Sequence, residues 1–126
     1  MCLFSKDLEG DLHLNFFVEM NFCFIGTQFL DVFVIDMDRF KQVNDEYGHS
    51  MGDRVLEEVA RSLLDVFRHR DPVGRVGGDE FVAFLVGAND DAVIEAKREA
   101  LSSLIAEASR SLGVPIALSV GVARYP

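Results

Sequence analysis

The apolar positions of this chain change period several times, and each change predicts an element. From Phe29 to Asp36 the sequence FLDVFVID is apolar on both parities except at Asp31, and rich in β-branched and aromatic residues. That composition suits an inner strand covered on both faces. A short helix is expected to start near Arg39, with Asp38 as its N-cap and Gly48 ending it. Met51, Val55, Leu56, Val59, Ala60, Leu63, Leu64 and Phe67 then recur at the spacing of one buried helical stripe. Ser50 would open this long helix, with Asp53 in a capping-box relation, and Arg68-His69-Arg70-Asp71 would close it before Pro72. Cations in such a last turn complement the helix dipole, a purely structural role for Arg68.

Val73–Val76 and Phe81–Val86 read as short strands joined at Gly77-Gly78, which supply the unhindered backbone of a tight hairpin. A second amphipathic helix is predicted over Asn89–Leu112, burying Val93, Ala96, Ala100, Leu101, Leu104, Ile105 and Ala108, with Gly113 as its cap. The last strand, Val114–Ala123, alternates Ile116, Leu118, Val120 and Val122 with the small residues Ala117, Ser119, Gly121 and Ala123. The order is βαββαβ, an α+β, ferredoxin-like sheet with helices packed on one face. Residues 1–28 are left unassigned. Phe16, Phe17, Phe22, Phe24 and Ile25 suggest packed structure there, but without a clean period.

Composition narrows the partners. A chain of 126 residues fits one domain with a real core. Its net charge of −9 argues against a nucleic-acid polymer, yet allows a small nucleotide whose phosphates reach acidic protein through a metal ion. Cys2 and Cys23 form no CxxC pair and read as ordinary thiols of a reducing compartment. The apolar stretch Leu12–Ile35 is interrupted by His13, Asn15, Glu19, Asn21, Gln28 and Asp31, too many polar groups for a spanning helix. Lys6 is outweighed by Asp7, Glu9 and Asp11, so no secretory signal is read. A cytoplasmic protein without a membrane partner is expected.

The candidate chemistry lies in carboxylates. Asp79 and Glu80 follow the paired glycines at a hairpin tip, and Asp36 ends the buried strand. Each has a bland role available, as a solvated turn or a helix N-cap; Asp38 suits the capping role better, which leaves Asp36 needing another. Short connections would bring the three to one rim as a divalent-metal site, most plausibly for Mg²⁺ with phosphate oxygens, although the spacing also describes a small Ca²⁺ site. Scattered histidines, His49 among them, offer no zinc site.

Taken together, FVIDMDRFKQVNDEYGHSMGDRVLEEVA, RHRDPVGRVGGDEF and LSVGVA resemble the GGDEF family of diguanylate cyclases, in the family's order and spacing from about Phe29 to Ala123. The resemblance implies a nucleotidyl-cyclase palm-like fold. It also implies a signalling activity that joins two GTP into cyclic di-GMP, with release of two pyrophosphates, between two facing domains of a homodimer. Metal ligands would be Asp36, the Met37 carbonyl, Asp79 and Glu80, holding Mg²⁺ or Mn²⁺ as two ions per site. Asp79, Glu80 and Lys41 would be catalytic, with Asp79 helping to remove the attacking hydroxyl's proton. Asn44 and Asp53 would read guanine. Arg39 and Phe40 would offer backbone N–H groups to phosphate, Lys41 a cation, and Gly77 and Gly78 room for the nucleotide. Arg68 and Asp71 form an RxxD motif, the family's inhibitory product site. Met1–Gln28 holds no DxLTGLxNR segment, and no KxxGR follows Ala123. The implied domain, 29–126, is thus shortened at its C-terminus. The alternative to an enzyme is a weak or silent domain that binds GTP or cyclic di-GMP.

Overall fold

The computed structural model describes residues 2–6, 12–15, 30–68, 71–88 and 90–125. In chain order these form β1 (Cys2–Lys6), β2 (Leu12–Asn15), β3 (Leu30–Asp38), α1 (Phe40–Tyr47), α2 (His49–Val66), β4 (Val73–Gly77), β5 (Glu80–Val86), α3 (Asp91–Leu112) and β6 (Ala117–Tyr125). One antiparallel sheet takes them in the order β2-β1-β4-β5-β3-β6. Its last four strands, with α1 and α2 between β3 and β4 and α3 between β5 and β6, are the expected βαββαβ unit. The β1–β2 hairpin extends that unit at the edge of β4, pairing Cys2 with Arg75 and Leu3 with Gly74. Cys23 and the aromatic residues between 16 and 25 lie outside the described residues.

Strand β3 sits between β5 and β6, in register with β5 from Leu30 to Asp36 and with β6 along its whole length. Only one of its faces is deeply buried. Phe33, Ile35 and Met37 are closed off, whereas Val34, pointing the other way, is 39% exposed. The strand was expected to be covered on both faces; both α2 and α3 pack on a single face. Phe81, Ala83 and Leu85 of β5 continue that face against Val55, Val59 and Leu63 of α2 and Leu101 and Ile105 of α3. Phe33 meets Phe67 edge to face, with ring centroids 5.0 Å apart. Each large side chain so buried contributes roughly 1.5–3 kcal/mol relative to remaining exposed.

Several ends differ from the pattern, for local reasons. Helix α2 stops at Val66, with Phe67 extended and its N–H on the Leu63 carbonyl. Phe67 needs that break to turn its ring into the core, so Arg68 is not in a helical last turn and the dipole role does not apply. The helix begins at His49 behind Gly48, whose φ of 89° breaks the chain between α1 and α2, and no side chain caps it. The Ser50–Asp53 capping box does not form. Nor does Asp38 cap α1; it accepts instead from Ser119 Oγ at 2.7 Å. Helix α3 starts at Asp91 with Asp90 as its cap, bonded to the Ala92 N–H. It buries Ile94 rather than Ala96 and Ala100, which are exposed. Gly113 does cap it, at a φ of 68°.

Asp31, the polar interruption of the β3 pattern, is 1% exposed and pairs with Arg124 of β6 at 3.0 Å. Arg124 also reaches Asp91 at 2.8 Å, tying the end of β6 to the start of α3. The Asp31 hydrogen bond, then that to Asp91, hold the guanidinium above its ordinary pKa.

Candidate functional site

The hairpin is tighter than its two glycines imply. Gly77 pairs with Glu80, so the turn itself is Gly78-Asp79, and a register shift between Arg75 and Gly77 bulges β4 beside it. Gly78 takes a φ of 52°, the positive value that a II′-type hairpin needs at its first central residue. Arg75 Nε donates to the Gly78 carbonyl at 2.8 Å and braces the turn. Gly77 is different. Its φ is not positive, and a Cβ built there would meet nothing within 4 Å. The fold itself does not demand glycine at position 77.

The hairpin is fastened to the end of β3. Met37 N–H donates to the Asp79 carbonyl at 3.1 Å, and Asp36 stands directly across from Glu80. Their side chains share the face turned away from α2 and α3, by strand alternation from buried Ile35 and Phe81. None of the Asp36, Asp79 and Glu80 carboxylates bonds to another described side chain. Asp36 is exposed and the other two half-buried. Among the described residues, no group of three or more His, Cys, Asp or Glu is gathered that could hold a metal ion. The expected convergence of three carboxylates is therefore a cross-strand pair with a third at the turn. A pair of hard oxygen donors still fits a divalent cation whose remaining ligands come from a nucleotide.

Beyond β3 the chain reverses at Arg39, the sole non-glycine with positive φ among the described residues, at 57°. That reversal starts α1 and presents the N–H groups of Phe40 and Lys41 at its first turn; the Lys41 side chain is exposed. Asn44 lies on α1, half-buried against Gly52 of α2, and exposed Asp53 follows Gly52. A cavity of about 820 Å³ opens on the other flank of α1, lined by Asp38, Arg39, Gln42, Glu46, Tyr47 and Ser109 among others. Of the predicted site residues it takes in Arg39.

Arg68 and Asp71 come together, but inwardly. Arg68 Nε and one terminal nitrogen grip the Asp71 carboxylate at 2.7 and 3.1 Å, and that terminal nitrogen also donates to the Val86 carbonyl at 2.8 Å. Asp71 further accepts from the Val86 N–H at 3.1 Å and the Arg68 N–H at 3.2 Å. Its side chain is 0% exposed, that of Arg68 37%. Because Val86 and Glu80 are opposite ends of β5, this corner stands roughly 20 Å from the carboxylate rim at strand rise. Sequence reading missed the Asp31–Arg124–Asp91 group and the Arg75 brace. Asp31 was the available signal, as the one polar residue inside the apolar run from Phe29 to Ile35.

Comparison with known proteins places this geometry. The family model described as "Diguanylate cyclase, GGDEF domain" matches residues 21–126. The chain is 34% identical over 99 residues to diguanylate cyclase DosC of Escherichia coli K12, covering 76% of this chain and 22% of that protein. It is 40% identical over 97 residues to the bifunctional diguanylate cyclase/cyclic di-GMP phosphodiesterase MucR of Pseudomonas aeruginosa, covering 75% of this chain and 14% of MucR. Among solved structures, the GGDEF domain of YfiN (TpbB) from Pseudomonas aeruginosa superposes with a TM-score of 0.68 at 33% identity, over 79% of this chain and 63% of that one. The GGDEF domain of DgcB from Caulobacter crescentus, solved with c-di-GMP, gives 0.63 at 30% identity, over 78% and 60%. The chain thus spans a small part of its curated relatives and less than two thirds of these solved domains. With its βαββαβ sheet, its GGDEF turn docked on β3 and this match over most of its length, the chain belongs to the GGDEF diguanylate cyclase domain family.

Proposed function

We propose that this chain forms one half of a diguanylate cyclase site, binding one GTP and condensing it with a GTP held by a second copy. The observation that carries the reading is the docking of the GGDEF turn on β3, which sets Asp36 opposite Glu80 with Asp79 at the tip. Carboxylates without a partner among the described side chains, two on paired strands and one at the turn fastened to them, are suited to ligand work rather than to the fold. The open space at Gly77 supports the same reading, since a nucleotide can lie against backbone that the fold would have let a side chain cover.

Asp36, Glu80, Asp79 and the Met37 carbonyl would hold Mg²⁺ or Mn²⁺, which when bound neutralises phosphate charge as it builds in the reaction. The remaining work falls to the chain. Arg39 and Phe40 direct N–H groups to phosphate at the start of α1, and the exposed Lys41 ammonium adds a cation. Asn44 and Asp53 contact the guanine edge, where a carboxylate facing the ring N–H and amino group leaves adenine unpaired. Asp79 takes the proton of the 3′-hydroxyl of the GTP held by the second copy as that oxygen attacks the α-phosphorus of the GTP bound here. Each attack forms one phosphodiester and expels one pyrophosphate, so two attacks close the cyclic dinucleotide. At the far end of β5, Arg68 is open enough to meet the product, with Asp71 holding it in place rather than facing solvent.

The test is incubation of concentrated protein with GTP and Mg²⁺, with nucleotides separated by chromatography. Cyclic di-GMP from the wild-type chain and none from Asp79→Ala, at an unchanged melting temperature, is the expected result. Equal turnover by the variant would remove Asp79 from the reaction. Untouched GTP from both, with a melting temperature still raised by cyclic di-GMP, would favour a binding module instead.

A further inference from the structure

We propose that Gly52 is a positioning residue for base recognition: its missing side chain is the seat of Asn44, so it sets a nucleotide contact that it does not itself make. This rests on the reading of Asn44 as a guanine contact. Gly52 is buried in the first turns of α2, and its N–H donates to the Gly48 carbonyl at 3.1 Å. Its φ is not positive, so nothing in its own backbone calls for glycine. In a helix glycine is the less stable choice beside alanine, and a reason must lie outside the helix.

That reason is Asn44. A Cβ at position 52 would overlap Asn44 Oδ1, stand 3.0 Å from Asn44 Cγ and 3.4 Å from Phe40 Cζ. The Phe40 contact is close to an ordinary one. The Asn44 overlap is not, and something must move. Asn44 is half-buried at the surface of α1 and ends in a short rotatable amide, while Gly52 belongs to an 18-residue helix packed on the core. The amide yields first. An alanine at 52 is thus accommodated by turning Asn44 out of its position, and the loss falls on the ligand rather than on the fold. Asp53, the other predicted base contact, lies a further 100° or so around the helix and is not touched by the change.

Wild type, Gly52→Ala, Asn44→Ala and the double variant separate these effects. Melting temperature and the dissociation constants for GTP and ATP with Mg²⁺ are measured for each. Gly52→Ala is expected to melt at or above the wild-type temperature while binding GTP about tenfold more weakly, the scale of one or two lost hydrogen bonds. Asn44→Ala should match it, the double variant should be no weaker than Asn44→Ala alone, and ATP affinity should not move. GTP affinity unchanged in Gly52→Ala but reduced in Asn44→Ala overturns the inference and leaves the base contact standing. A double variant weaker than Asn44→Ala alone, or a lowered melting temperature that Asn44→Ala does not restore, assigns the glycine to helix packing and also overturns it. GTP affinity unaffected by Asn44→Ala, or no GTP binding by the wild type, removes the base contact itself and the inference with it.

Discussion

Two acidic corners flank the same strand, and they treat their carboxylates in opposite ways. At the start of β5, Asp36, Asp79 and Glu80 have their oxygens free of other described side chains. At its end, Asp71 is closed to solvent and spends its oxygens on Arg68 and on the Val86 N–H. A motif search weighs GGDEF and RxxD alike as functional signatures. The structure separates them: the carboxylates of the first have no partner among the described side chains, while Asp71 of the second uses its own to hold Arg68 and the Val86 N–H. A polar residue can serve a ligand only with groups that the fold has left unspent.

Substitutions can break that contrast, and the largest effect belongs to Asp71. Asp71→Ala leaves the Val86 N–H and the Arg68 guanidinium without their acceptor. Discounted for the part-exposed Arg68, the expected loss is about 2–3 kcal/mol, read from urea unfolding. A loss below about 0.5 kcal/mol would mean that the corner is no more structural than the rim. Asp71→Asn sharpens the point. It keeps the shape and one acceptor oxygen, so it should fall between the two, with any loss of cyclic di-GMP affinity following the loss of stability.

Next in size is Arg39, strained at a φ of 57° where strand gives way to helix. Arg39→Gly removes a left-handed side-chain penalty and should raise stability by about 1 kcal/mol, provided the gain is not consumed by a looser unfolded chain. Unchanged or lowered stability would show that the Arg39 side chain does structural work in the folded state. The smallest effect is at the rim. Asp36 and Glu80 are like charges directly across a strand pair, an arrangement that costs a few tenths of a kcal/mol. Asp36→Asn should therefore raise stability by about 0.5 kcal/mol while abolishing cyclic di-GMP formation. If it lowers stability by more than 1 kcal/mol, the rim carboxylates belong to the fold after all.

Element types were legible in the sequence wherever period and punctuation agreed. The β3 run, the α2 stripe, Gly78 and Gly113 lie where their patterns place them, while Gly77, expected in the turn, ends β4. The ends were less legible, because ends answer to contacts. Phe67 breaks α2 early to reach Phe33, and Ser119, some eighty residues away in sequence, takes Asp38 from the cap role that local sequence assigns it. The amphipathic reading of α3 chose alanines that the structure leaves exposed, since an alanine is too small to mark which face is buried.

By itself, then, the sequence determined the βαββαβ order, the acidic hairpin and the family, because these depend on residue type and spacing along the chain. Tertiary structure decided which polar groups are free. Asp36 meets Glu80 through strand register, Asp71 is consumed by a backbone amide 15 residues away, and Gly52 is a seat for Asn44 only because two helices cross there. Each depends on how separate elements come together, strand on strand, loop on strand or helix on helix, and spacing along the chain does not say which side chains then meet.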